Sequence, residues 1–157
     1  MTRILHPVPL TEAAFAPFGT VATLPAAGQR VIVGPPENAR PAVPPRLVWS
    51  RARAATLPLA VTTMERHACS SQSFVPMGEA RWLILVAPHA PGGGPDMARA
   101  AAFLADGTQA ITYRPDTWHH PLTAVSEGAS FAVLTFLDGS KEDEEFVAVP
   151  VGLTVAL

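Results

Sequence analysis

Three stretches of this chain set side chains that can move protons or grip a small polar molecule between apolar flanks. Glu65-Arg66-His67 is followed after a short gap by Gln72, and Tyr113-Arg114-Pro115-Asp116-Thr117 leads directly into Trp118-His119-His120-Pro121. Adjacent histidines on an extended chain point to opposite faces, so one of His119 and His120 enters the interior while the other faces outward or into an interface. Trp118 and Pro121 give the pair a buried, rigid setting, where small effects carry an imidazole across neutrality. Either ring is then a candidate acid or base, against the bland reading of a core histidine bonded to a carbonyl. A guanidinium holds a carboxylate with two parallel bonds, which makes Arg66 the candidate for an acidic substrate group. The competing role for Arg66 is a surface ion pair with Glu65 or Glu79. Gln72 alternates with Ser71, Ser73 and Phe74, and suits either a substrate amide or a sheet edge.

Other chemistries are thinly provided. Cys69 is the only cysteine, which excludes an intramolecular disulfide and a Cys-rich zinc site. Lys141 is the only lysine and stands in the acidic run Lys141-Glu142-Asp143-Glu144-Glu145, a setting opposite to what a Schiff-base lysine needs. That run reads as a solvated loop. Gly92-Gly93-Gly94 is bounded by Pro91 and Pro95, so it reads as a turn rather than a phosphate loop. The basic residues are scattered and the formal charge is −2, which argues against nucleic acid. No metal ligand set is complete. Pro115-x-x-x-His119 partly matches the late motif of cupin barrels, but the earlier His-x-His has no counterpart, and His67 with Gln72 is its nearest remnant. No cofactor is therefore expected, and a divalent metal is the one addition left open.

These residues must be positioned by strands. Seventeen prolines and eleven glycines cut the chain into short segments. Strand patterns run over 18–23, 46–51, 59–65, 72–76, 82–87, 101–105, 110–113, 130–137 and 146–149. Residues 131–137 are apolar on both faces, which predicts a central strand. Thr11 caps a short helix over 12–16 that Pro17 stops. Residues 34–45 hold too many prolines for a regular element. Hydrophobic residues are 48% and charged ones 15%, enough for a real core, and no composition break divides 1–157 into more than one domain. Many short strands imply a mainly β barrel or sandwich. The N-terminus lacks a signal pattern and the apolar run 82–87 is too short to cross a bilayer, so a cytoplasmic protein without membrane contact is the expectation.

Taken together, Glu65-Arg66-His67, Gln72-Ser73-Phe74-Val75-Pro76-Met77 and Tyr113 with Trp118-His119-His120-Pro121-Leu122 resemble the ureidoglycolate lyase family. Leu57-Pro58-Leu59, residues 100–104 and the opening Glu12…Phe15…Phe18-Gly19 add to the likeness. The resemblance implies a cupin-like small β-barrel with a short N-terminal helix, usually a homodimer. It implies a carbon–nitrogen lyase that splits ureidoglycolate, a small carboxylate, into glyoxylate and urea during allantoin use in purine metabolism. On that reading His119, His120 and Tyr113 are catalytic, and Arg66, His67, Gln72 and Trp118 bind substrate. The substrate is a carbinolamide: its hydroxyl must lose a proton and the departing urea nitrogen must gain one, work that histidines near neutrality can do.

The chain departs from the family in two places. Where the family carries Asn-Gly and then Arg-aromatic-His-Asp-Leu, this chain has Val33-Gly34-Pro35-Pro36-Glu37-Asn38-Ala39-Arg40-Pro41. Where the family tends to carry Asp-Arg, it has Thr135-Phe136. Two alternatives follow: another small hydroxy or keto acid as substrate, or a non-catalytic dimer that binds a small carboxylate. Whether Arg40 folds back over the site to replace a missing group is left open by sequence.

Overall fold

The short apolar runs between prolines and glycines become strands with little else. The computed structural model describes residues 3–150 and 152–157. Its strands are β1 (Arg3–Leu5), β2 (Val8–Pro9), β3 (Gly19–Thr23), β4 (Arg46–Arg51), β5 (Leu59–Ala60), β6 (Thr63–His67), β7 (Gln72–Pro76) and β8 (Arg81–Ala87). They continue as β9 (Ala101–Asp106), β10 (Gln109–Tyr113), β11 (Trp118–His119), β12 (Thr123–Ala124), β13 (Ser130–Thr135), β14 (Glu144–Ala148) and β15 (Leu153–Val155). One α-helix, α1 (Glu12–Phe15), begins where Thr11 accepts the Ala14 amide at 3.2 Å, and it buries Phe15.

Three sheets result. The order β3-β10-β7-β13-β4 makes a five-stranded sheet, β14-β6-β11-β8-β9-β2 makes the larger one with β12 also on β8, and β1-β15-β5 forms a third. The alternation of β8 explains the layering. Trp82, Ile84 and Val86 join a core with Phe74, Ile111, Tyr113, Phe131 and Val133 of the five-stranded sheet. Leu83, Leu85 and Ala87 join a second core with Met64, Trp118, Leu153 and Val155. A strand covered on both faces must be apolar throughout, which is why 82–87 reads as an unbroken run. Trp82 meets Phe131 edge to face, with ring centroids 5.1 Å apart, and its indole N–H donates to the Asp106 carbonyl at 3.2 Å.

The expected mainly β architecture is what the chain adopts, with the short helix where Thr11 caps it. Several boundaries move. The span 59–65 is two strands, because Val61 turns fully inward and its amide bonds the Leu153 carbonyl instead of continuing one ladder. β6 then runs on to His67. The acidic run is only half a solvated loop: Glu144 and Glu145 open β14, paired with His67 and Arg66, and Asp143 is buried. No helix among the described residues is long and apolar enough to cross a membrane.

Candidate active site

At one end of the space between the two large sheets, the apolar core gives way to polar groups. β6 sends Met64 into the second core, and the alternation of the strand turns Glu65 and His67 the other way. β11 pairs with β6 through His119 opposite Glu65 and buries Trp118 on the far face. The facing sheet contributes one cross-strand row. Tyr113 pairs with Gly19 on one side and Gln72 on the other, and β13 places Thr135 beyond Leu134, the partner of Ser73, with Arg46 of β4 opposite Thr135.

Ring contacts and bonds fix the His119 imidazole. It lies flat on Tyr113, with centroids 4.1 Å apart and planes at 17°. Its Nδ1 is 2.8 Å from the Thr117 carbonyl, which can only accept, so Nδ1 carries the proton in the neutral ring. Nε2 is left facing the Glu65 carboxylate at 3.2 Å without a well-directed hydrogen bond. The His67 ring centroid is 5.5 Å from that of His119, and neither of its nitrogens makes a well-directed hydrogen bond, with the Gln72 side chain beside it. Gln72 Oε1 and Thr135 Oγ1 are likewise buried without one. Five unpartnered atoms from four side chains at one place is a costly arrangement unless a ligand completes it, since each buried orphan forfeits about 1–3 kcal/mol.

Burial, and next the neighbouring His119, hold the His67 imidazole below its ordinary basicity. Burial does the same to His120, opposed by its bond to the Pro121 carbonyl and by Glu65. Burial also pushes the Tyr113 hydroxyl far up, with Glu65 adding to it, so the phenol stays protonated and offers a donor. Ligand atoms of Glu65, His67 and His119 all lie within 4.8 Å of one another. Two imidazoles and a carboxylate form a donor set suited to a divalent ion of intermediate softness, and their unpartnered nitrogens fit that role.

The structure thus brings His119, His67, Gln72 and Tyr113 together. His120 is half-buried beside them, its Nδ1 bonded to Thr123 Oγ1 at 2.8 Å. It does not bring Arg66 or Trp118 to the cluster. Arg66 leaves β6 on the face opposite Glu65 and His67, where Glu145 and Asp116 bind its guanidinium and the Trp118 ring lies beneath it at 4.8 Å. Strand alternation is the reason: the neighbours of the inward Glu65, His67 and His119 point to the opposite face, Arg66 partly exposed and Trp118 buried in the second core. Among the described residues Arg46 has no ion-pair partner; it is exposed on the edge strand β4 and shares the face of Thr135 by register.

Sequence reading missed Glu65 as a site residue, although Glu65 and His67 are two apart on a strand and so share a face. It also missed how the turn before His119 is built. Asp116 adopts φ 66, which a short polar side chain tolerates, and its amide donates to the His67 carbonyl at 2.7 Å. A broad cavity of about 780 Å³ lies at the opposite end of the barrel, lined by Gly78, Glu79, Arg81, Asp106, Gly107 and Glu127 among others. It holds no histidine and no unpartnered buried group, so size alone does not mark the site.

Residues 2–156 match the family model described as ureidoglycolate lyase. The ureidoglycolate lyase of Azotobacter vinelandii (strain DJ) is 37% identical over 142 residues, covering 84% of each chain. Ureidoglycolate lyase 1 of Rhizobium meliloti (strain 1021) is 34% identical over 156 residues, covering 93% of this chain and 90% of its own. A solved dTDP sugar isomerase from Desulfovibrio desulfuricans G20 is similar at 15% identity over 85% of this chain and 83% of that one, with a TM-score of 0.45.

Proposed function

This chain belongs to the ureidoglycolate lyase family, and from that premise we propose that it cleaves ureidoglycolate, or a closely related carbinolamide acid, to glyoxylate and urea. The observation that carries this reading is the buried Glu65–His67–His119 cluster with its free ring nitrogens beside the unpartnered Gln72 carbonyl. A urea group offers only N–H donors to such an acceptor, and a hydroxyl offers a proton to such a nitrogen.

His119 Nε2 takes the proton from the substrate hydroxyl, with the Thr117 carbonyl behind the ring at Nδ1 and the Glu65 carboxylate 3.2 Å from Nε2 to stabilise the imidazolium. As the oxygen closes to a carbonyl, the carbon–nitrogen bond breaks and the leaving nitrogen gains a proton from the same ring or from His120, so that charge and protons balance. Gln72 Oε1 accepts from the urea N–H groups, and the protonated Tyr113 holds His119 in plane. Arg46, on the face of Thr135, meets the substrate carboxylate in place of Arg66. Were a divalent ion held by Glu65, His67 and His119, it would take the His119 Nε2 lone pair and supply Lewis acidity to a substrate oxygen, and the proton transfers would fall to His120 instead.

A second copy of the chain has a surface to pair with. β4 has a free edge and leaves Leu47 76% and Trp49 75% exposed. An edge strand this apolar is ordinarily covered, which supports a homodimer.

The test is glyoxylate release from racemic ureidoglycolate, corrected for spontaneous breakdown, with metal-stripped protein and with added divalent ions. Acceleration that falls about 10²–10⁴-fold in both Glu65→Gln and His119→Ala supports the assignment. Folded wild-type protein without acceleration under either condition removes it.

A further inference from the structure

The Pro-rich loop 34–45 forms no strand or helix, yet it is tied down along its length, and its residues 37–39 lie on the connection between β6 and β7. Gly34, at φ +69, lies so close to Thr20 and Thr112 that a Cβ there would meet the Thr20 hydroxyl at 2.6 Å. Next to it the Val33 carbonyl accepts from Thr112 Oγ1 at 2.6 Å. Further on, the Glu37 carbonyl accepts the Ser71 amide at 2.9 Å and the Ala39 amide donates to the Cys69 carbonyl at 2.8 Å. Residues 37–39 therefore lie along 69–71, the link with His67 at one end and Gln72 at the other.

Arg40 then fastens this loop to a third segment. Its guanidinium donates to Asp143 at 2.9 Å, Asp138 at 3.1 Å and the Phe136 carbonyl at 2.9 Å, with its side chain 11% exposed and that of Asp143 1% exposed. Asp143 in turn grips the same link. Its Oδ1 accepts the Cys69 amide at 2.6 Å, its Oδ2 the Ser70 hydroxyl at 2.5 Å, and its own carbonyl the Ala68 amide at 2.8 Å. Three consecutive residues after His67 are held by one aspartate, and that aspartate is neutralised by Arg40.

His67 itself makes no well-directed bond at either ring nitrogen, and the polar side chain beside it, Gln72, is carried by the same link. Functional imidazoles are commonly oriented by a partner on the second nitrogen. Here no well-directed bond fixes the ring, and the backbone that carries it and Gln72 is clamped instead. We infer that Arg40 and Asp143 form a positioning latch for the reactive cluster, fixing His67 and Gln72 through the 68–71 link without touching substrate. The inference rests on the reading of that cluster as the reactive centre.

The experiment uses the full chain with Arg40→Met, Arg40→Lys and the milder Ser70→Ala, each melted to show that it folds. The imidazole region of ¹H–¹⁵N spectra, with His67→Gln supplying the assignment, reports the ring directly. Turnover of ureidoglycolate gives kcat and KM. In Arg40→Met the latch predicts shifted or broadened His67 ring signals and a kcat lowered about 10-fold or more with a smaller change in KM. Arg40→Lys should recover part of both, and Ser70→Ala should move the His67 signals in the same direction by less. Folded Arg40→Met or Ser70→Ala protein with His67 signals at wild-type positions reduces the latch to a structural tie and overturns the inference. If the wild type shows no turnover, the assigned reaction fails on its own, and the ring signals still decide the latch.

Discussion

The imidazole of His119 is stacked on the ring of Tyr113 at 4.1 Å, so the residue best placed to move a proton rests on one that cannot give up its own near neutrality. Tyr113 belongs to the apolar core through Phe15 and Phe74, at 5.8 and 6.0 Å. It transmits the rigidity of that core to the reactive ring.

Tyr113→Phe should therefore keep the stack, fold normally and leave the alkaline limb of the pH–rate profile where it was, because the phenol does not titrate in that range. Tyr113→Ala removes a buried ring and should cost about 3–5 kcal/mol in chemical denaturation. A shift of the alkaline limb in Tyr113→Phe would mean that the phenol titrates during turnover.

Arg46 and Arg66 separate by face. Arg46→Gln should raise KM about 10–100-fold with a smaller loss in kcat, the effect of one lost charged hydrogen bond to the substrate carboxylate. Arg66→Gln should raise KM less than Arg46→Gln does, and should appear mainly as a stability loss of about 1 kcal/mol or less, since its pairs are partly exposed. Steady-state kinetics on both variants checks this, and the reverse order would return the carboxylate to Arg66.

Acidification should destabilise the fold through His67 and His120. Both rings bind protons less readily in the folded chain than at the ordinary value of 6.5, so the unfolded chain takes up protons that the folded one refuses. Their stability contribution is present above about 6.5 and is lost as the pH falls below it. Calorimetric Tm values from pH 8 to pH 5 should drop, and the drop should shrink in His67→Gln. A slope unchanged by that substitution would clear His67 of the effect.

Trp49→Glu should convert a dimer to a monomer in light scattering, by placing a charge on the most exposed apolar strand of the five-stranded sheet. A wild-type chain that is already monomeric rules out the second-copy reading of β4.

The strands that carry the site were legible because their patterns are local. Residues 72–76, 82–87 and 110–113 alternate or run apolar in a way that only sheet layers explain, and Thr11 announces the helix. The short pieces β11 and β12 were not legible, because two residues have no period. Asp143 looked solvated among four charged neighbours, since nothing in 141–145 reveals an arginine a hundred residues away. Arg66 looked functional for its chemistry, while the parity that turns it outward depends on the register of β6. The same parity, applied to Glu65 and His67, would have added Glu65 to the site.

The latch also has a consequence for how the chain reaches its native state. Arg40 and Asp143 are 103 positions apart, and the links they join lie between those limits. Closing a contact of that span is entropically expensive until intervening strands have paired, so it forms late. During synthesis the reactive end of the barrel is thus completed only after most of the chain has emerged, and an incompletely folded molecule is an idle one.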